Sequence, residues 1–242
     1  MKEYTERTYR KRAKAAGLVS FQVGVKETDL WVSAGEDLET EARHLVLQGR
    51  HQIETYLASH PDFLSALAPY PDDPLAPPLV KEMIAATAPT GVGPMASVAG
   101  AMAEFVGRGL LRHTDQVIVE NGGDIFLMAK RPVTVSIFAG DSPLSERLGL
   151  LIPTRQMPLG VCTSSGTVGH SLSFGSANAA CVVSAGTALA DGAATALGNR
   201  IRGRKDLIAV GEWAAGIPGI LGCLVILGER MTAWGDIELV EL

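Results

Sequence analysis

Residues 179–197 read AACVVSAGTALADGAATAL, and the switch inside this stretch decides the fold. Ala179 to Ser184 is a short apolar run of strand length, and Thr187 to Leu197 is a small-residue stretch of helical length. Upstream, Gly160 to Ser164 reads as a strand. Downstream, Leu207 to Ala215 reads as a helix, and Ile220 to Leu227 with Met231 to Leu239 as a closing strand pair. The order is strand, strand, helix, helix, strand, strand.

The first half shows the same order with a longer helical middle. Leu18 to Val25 and Leu30 to Ala34 read as strands around a turn at Lys26-Glu27-Thr28-Asp29. From Asp37 to about Ser59, Leu38, Ala42, Leu45, Ile53 and Leu57 recur at helical spacing, and His60-Pro61 ends the helix. Pro69, Pro71, Pro74, Pro77 and Pro78 mark a loop. Gly91-Val92-Gly93-Pro94 opens a helical segment from Met95 to Leu111, and Val117 to Val119, Ile125 to Ala129 and Val133 to Ala139 follow as strands. The expectation is an α+β protein. It is a single domain over 1–242, made of two β-β-α-α-β-β pseudo-repeats at about 15–140 and 155–242, with antiparallel sheets that face or abut and helices packed on them. A site belongs where loops of the two halves converge.

Composition narrows the partners. The 242 residues carry 21 Lys+Arg against 26 Asp+Glu, a net charge of -5, so no broad basic face for nucleic acid is expected; Arg10, Lys11, Arg12 and Lys14 form one short arm. Hydrophobic residues at 47% and charged residues at 19% predict a large core and point to a homodimer. Cys162, Cys181 and Cys223 form no CxxC pair, and the start MKEYTERTYRKR lacks an apolar leader, so a reducing, cytoplasmic setting is expected. Ile217 to Leu227 is too short to span a bilayer, so no membrane role is expected.

Four constellations carry chemistry. Asp191 and Thr195 stand one helical turn apart among Ala and Gly, and offer two hard oxygens with room for a small hydrated cation such as Mg²⁺. The same spacing also suits a capping aspartate, or a Thr bonded back to its own helix. Glu120-Asn121-Gly122-Gly123-Asp124 lets a backbone approach a ligand, with Asn121 and Asp124 placed for ribose or base edges, and equally suits a plain hairpin turn. Thr163-Ser164-Ser165-Gly166-Thr167, with His170 close behind, suits a phosphate, or a solvated loop; His170 is the candidate acid or base. Gly93 precedes a helix start that suits an anion, although no Walker lysine follows. His44 and His51 are two turns apart, the wrong spacing for a two-His metal site. Cys162 suits a reactive thiol or, more simply, a buried strand cysteine.

Taken in order, these pieces resemble the ApbE superfamily, the flavin transferases that move FMN from FAD onto a Thr or Ser of a target protein. Asn121-Gly122-Gly123-Asp124 resembles that family's Gly-Gly-Asp turn, Thr163-Ser164-Ser165-Gly166 its Thr-Ser-Gly segment, and Asp191-Gly-Ala-Ala-Thr195 its Asp-Ala-x-x-Thr metal motif. The resemblance implies a T-fold-like fold, FAD as substrate or ligand, and Mg²⁺ held by Asp191, Thr195 and the Ala96 carbonyl. It also implies flavin contacts from Gly93, Asn121 to Asp124 and Thr163 to Gly166, and either a small dinucleotide ligand or an acceptor protein as partner. The closest likeness is to a short branch without a lipoprotein leader, occurring in anaerobes. For that branch the resemblance implies FMN transfer or FAD pyrophosphate cleavage, or an accessory role in sulfur assimilation and homocysteine synthesis. Two family pieces are altered. The Ala-Lys-Gly segment appears as Met95-Ala96-Ser97, and the His-x-x-Asp-Pro-x-Thr-Gly segment as His170-Ser-Leu-Ser-Phe174-Gly175.

Overall fold

Alternation of apolar and polar residues lays down the first hairpin. β1 (Val19–Val25) and β2 (Thr28–Ala34) pair antiparallel with Val25 opposite Thr28. The turn is therefore only Lys26-Glu27, with Lys26 at φ 52°, and Thr28 and Asp29 belong to the ladder rather than to the longer turn expected. The computed structural model describes residues 17–166 and 175–242.

Between the hairpins of the first half lie α1 (Glu39–Ser59), the short α2 (Asp62–Ser65), α3 (Pro78–Thr87) and α4 (Val98–Leu110), the last preceded by a 3-10 turn over Pro94–Ser97. α3 was hidden by the proline run. Pro78 sits in its first turn, where a proline has no hydrogen bond to lose and its fixed φ favours the helix. β3 (Val117–Asn121), β4 (Asp124–Met128), β5 (Val133–Ser136) and β6 (Leu148–Ile152) follow. Sequence reading passed over β6, whose Leu-Gly-Leu-Leu-Ile run has no polar alternation to announce it. The second half runs β7 (Leu159–Ser164), β8 (Ala179–Ser184), α5 (Thr187–Arg200), α6 (Val210–Ala215), β9 (Ile220–Leu227), β10 (Arg230–Gly235) and β11 (Glu238–Glu241).

Eight strands form one antiparallel sheet in the order β1-β2-β3-β4-β7-β8-β9-β10. The halves abut: β4 pairs β7, with Asp124 opposite Cys162 and Ile125 opposite Val161. The expected closing pair forms as β9 with β10, but its second strand breaks at Gly235, and β11 leaves to join a separate sheet, β11-β6-β5.

Three apolar clusters hold these layers. Phe21, Val23, Leu30, Val32, Val119 and Phe126 meet α1, α3 and α4 through Val46, Met83, Val106 and Leu110. Cys162, Val182 and Val225 meet α5 and α6 through Ala190, Ala194, Leu197 and Ala214. On the opposite sheet face, Leu159, Val161, Cys181, Val183 and Ile226 are covered by Val135, Leu150 and Ile152 of the small sheet. Each fully buried Leu, Ile, Val or Phe contributes about 1.5–3 kcal/mol. Among the described residues no helix is long and apolar enough to cross a membrane.

Candidate functional site

Two helices of small residues bring the site together. A Cβ added to Gly100 of α4 would lie 2.5 Å from the Thr187 carbonyl oxygen and 2.7 Å from Asp191 Cβ on α5, so only glycine permits this approach. That contact places the first turn of α4 over the second turn of α5. The Gly100 amide donates to Asp191 Oδ2 at 2.8 Å, and the Ala99 amide also donates to this carboxylate. Asp191 is thus a capping aspartate, but for another helix: it satisfies two donors that α4 leaves without intrahelical partners.

The β3–β4 hairpin supplies the second acid. Gly122 and Gly123 take φ 71° and 109° in a two-residue turn closed by the Asn121–Asp124 pair, the left-handed geometry that a tight hairpin needs. Asn121 does not point outward; its Nδ2 donates to the Ala99 carbonyl at 3.1 Å and ties the hairpin to α4. The Gly123 amide donates to Glu120 Oε1 at 2.9 Å. Asp124, on the inner face, accepts from the Thr163 amide and lies beside the Cys162 thiol, whose one proton is directed at the Thr187 carbonyl.

Asp124 and Asp191 lie within electrostatic reach of each other. Burial pushes both carboxyls above the usual carboxylate range; the charge of Asp191 lifts Asp124 further, while the Gly100 and Ala99 amides pull Asp191 part of the way back. Among the described residues no Lys, Arg or His offsets either charge. Burial, reinforced by the same two acids, raises the Cys162 thiol as well, so it stays protonated, with Sγ 3.4 Å from the Thr187 carbonyl oxygen. This is the buried strand cysteine of the simpler reading.

Thr195 is buried one turn beyond Asp191 on the same helix. Ala96 is half-buried in the 3-10 turn before α4, beside α5; a Cβ on Gly192 would lie 3.8 Å from Ser97 Cβ. A Cβ on Gly93 would overlap the Ala66 carbonyl oxygen at 1.7 Å, so this glycine packs closely on the loop after α2. Thr163 adjoins the hairpin, with its carbonyl 3.7 Å from a Cβ on Gly123. Ser164 points toward α5 near Gly198, and its buried hydroxyl has no hydrogen-bond partner among the described residues. Ser165 and Gly166 continue past the strand end, with the Gly166 amide donating to Ala177 O at 3.0 Å. His170 lies outside the described residues.

Hard oxygens and a missing countercharge fit a small divalent cation. Among the described residues no three His, Cys, Asp or Glu side chains converge as a metal site. By type, the Asp191 and Asp124 carboxylates, the Thr195 hydroxyl and the Ala96 carbonyl are hard oxygens of the kind Mg²⁺ takes while keeping water. Sequence reading missed Glu104 and Arg108 of α4. Their i,i+4 spacing resembles an ordinary surface pair, and only the tertiary fold buries Glu104 to 3% exposure against α5.

The sheet order and helix placement define an α+β protein, an eight-stranded antiparallel sheet with its helices on one face. The chain is similar to the flavinyl transferase ApbE of Pseudomonas stutzeri in its apo form, with a TM-score of 0.60 and 15% identity over 90% of this chain and 94% of that one. It is likewise similar to the flavin transferase ApbE of Vibrio cholerae, with a TM-score of 0.60 and 14% identity over 90% of this chain and 97% of that one. At these identities the likeness is one of fold. The chain belongs to the family described as AbpE bacteria, whose model matches residues 10–212. Relatives include a UPF0280 protein of Methanocella arvoryzae, 42% identical over 212 residues (87% of this chain, 86% of that one). A UPF0280 protein of Methanosarcina acetivorans is 38% identical over 240 residues (98% of this chain, 94% of that one).

Proposed function

We propose that this protein is a Mg²⁺-dependent enzyme that cleaves the pyrophosphate of FAD, by FMN transfer to a Thr or Ser hydroxyl or by a related cleavage. The observation that carries the reading is the buried Asp124 and Asp191 pair, uncompensated among the described residues, with Thr195 buried one helical turn beyond Asp191. Two carboxylates this close are costly to keep ionised without a cation. When bound, Mg²⁺ supplies charge neutralisation on the pyrophosphate. Asp191, Thr195, Asp124 and the Ala96 carbonyl would hold it, and the amides of α4 keep Asp191 oriented.

The rest of the assignment follows the chain. The Asn121–Asp124 hairpin and the Thr163–Gly166 segment flank the acids and are assigned to the dinucleotide, together with Gly93 at the start of the 3-10 turn. In transfer, the acceptor hydroxyl oxygen bonds to the flavin-side phosphorus. The bridging P–O bond breaks and AMP leaves with the electron pair. The hydroxyl proton passes to His170, our assigned base. Free, buried thiols at Cys162, Cys181 and Cys223 support a reducing, cytoplasmic setting. We also infer that the chain is one domain built from two pseudo-repeats that share this site.

Incubation with FAD, Mg²⁺ and a Thr-containing peptide is expected to release AMP and give a flavin-labelled peptide, with Asp191→Ala inactive. AMP without labelled peptide indicates hydrolytic cleavage. No AMP from the wild-type protein overturns the enzymatic reading and leaves an accessory role on the same scaffold, for which no structural observation speaks.

A further inference from the structure

The contact between α4 and α5 is reciprocal. Asp191, in the second turn of α5, accepts from first-turn amides of α4, and Glu104, in the second turn of α4, accepts from the first-turn amide of α5: Thr187 N donates to Glu104 Oε2 at 2.5 Å. Neither helix has a side-chain cap of its own; Ser97 and Gly186 occupy the cap positions without such a bond. Each helix start therefore depends on an acid from the other helix.

The two acids differ in one respect. Glu104 has its countercharge built in, since Arg108, four residues on, donates from Nε to Glu104 Oε1 at 2.7 Å. The position four residues after Asp191 is Thr195, which is neutral. Glu104 is thus closed to any further cation, while Asp191 is not. Thr187 links the two sides: its amide meets Glu104, its carbonyl lies against Gly100 and accepts from Cys162 Sγ, and its buried Oγ1 has no partner among the described residues.

We propose that Glu104 is a positioning residue for Asp191. Neutralised by Arg108, its carboxylate pins the first turn of α5 to α4 and so fixes where Asp191 and Thr195 stand. The inference rests on the cation reading only for its second measurement. The first is amide hydrogen exchange at Ala99 and Gly100, the amides that Asp191 accepts from.

In Glu104→Ala these two amides are expected to exchange about tenfold faster relative to the remainder of α4, because Asp191 has drifted from them. Glu104→Gln, whose amide oxygen still accepts from Thr187, restores most of the protection. Val46→Ala, a core substitution on α1, lowers the melting temperature without changing that ratio. Should Glu104→Ala fail to fold, Glu104→Asp gives the same readout, since its shorter side chain keeps the charge but withdraws the oxygen from Thr187. Mn²⁺ used as probe is expected to bind Glu104→Ala about tenfold more weakly than wild type. Faster exchange spread evenly along α4, or an unchanged Gly100, overturns the proposal. If wild type binds no Mn²⁺, the cation reading fails while the exchange ratio still decides the role of Glu104.

Discussion

Asp191 carries its charge where burial works against it, and that charge in turn lifts the neighbouring Asp124. Both carboxyls are raised above the range of an unfolded chain. A raised folded value means that the unfolded chain ionises first. Stability is then complete below the unfolded values, about pH 4, and is lost as pH rises through the folded ones. Without divalent cations, the urea midpoint of the wild-type protein is expected to fall between about pH 5 and pH 8, and Asp191→Asn should flatten that fall. Mg²⁺ should restore the midpoint at the higher pH and have little effect at the lower one, where protons occupy the carboxylates. A Mg²⁺ effect of equal size at both ends would contradict the assignment of these two acids.

At the scale of the helices, the approach of α4 to α5 depends on a missing side chain. Gly100→Ala would drive a methyl group into the Thr187 carbonyl and Asp191 Cβ. A loss of about 1–3 kcal/mol is expected from chemical denaturation, with cation affinity falling as well because Asp191 itself is displaced. Glu82 of α3 tests the same layer from another side. Burial, then the charge of Glu104, opposed by Arg108, pushes its carboxyl up to about 7. The sign is the same as for Asp191: its contribution is lost as pH rises from the unfolded value through about 7. Glu82→Gln is therefore expected to be more stable than wild type at pH ~8, by about 1–3 kcal/mol, and equal to it near pH ~4. Denaturation midpoints at the two values check this, and no gain at the higher pH would contradict it.

Across the whole molecule, the central sheet separates chemistry from cover. The acids lie on the helix face, and β5, β6 and β11 lie on the other. Deleting residues 236–242 removes β11 and uncovers Leu150 and Leu151 of β6. The half-buried Leu239 and Val240 leave with it, so a loss of about 1–3 kcal/mol is expected. Mn²⁺ affinity should stay within about twofold, since packing through the sheet changes little on the far face. A large loss of affinity would show that the small sheet also shapes the site.

Strand and helix order in both halves was legible because alternation and helical spacing are local. Asp191-x-x-x-Thr195 was legible for the same reason, as two residues on one helix face. α3 and β6 were not, because prolines at a helix start and an unbroken apolar run do not declare the element they belong to. Nor could order alone choose between facing and abutting sheets; the β4–β7 ladder decided that through pairs such as Asp124 with Cys162. Glu104 shows the same limit. In the chain it is one carboxylate four residues before an arginine, and only folding brings Thr187, 83 positions away, onto its oxygen. The sequence by itself determined where most strands and helices lie and which side chains carry hard oxygen. Tertiary structure decided which acids lose their water, because desolvation depends on what the rest of the chain stacks over them.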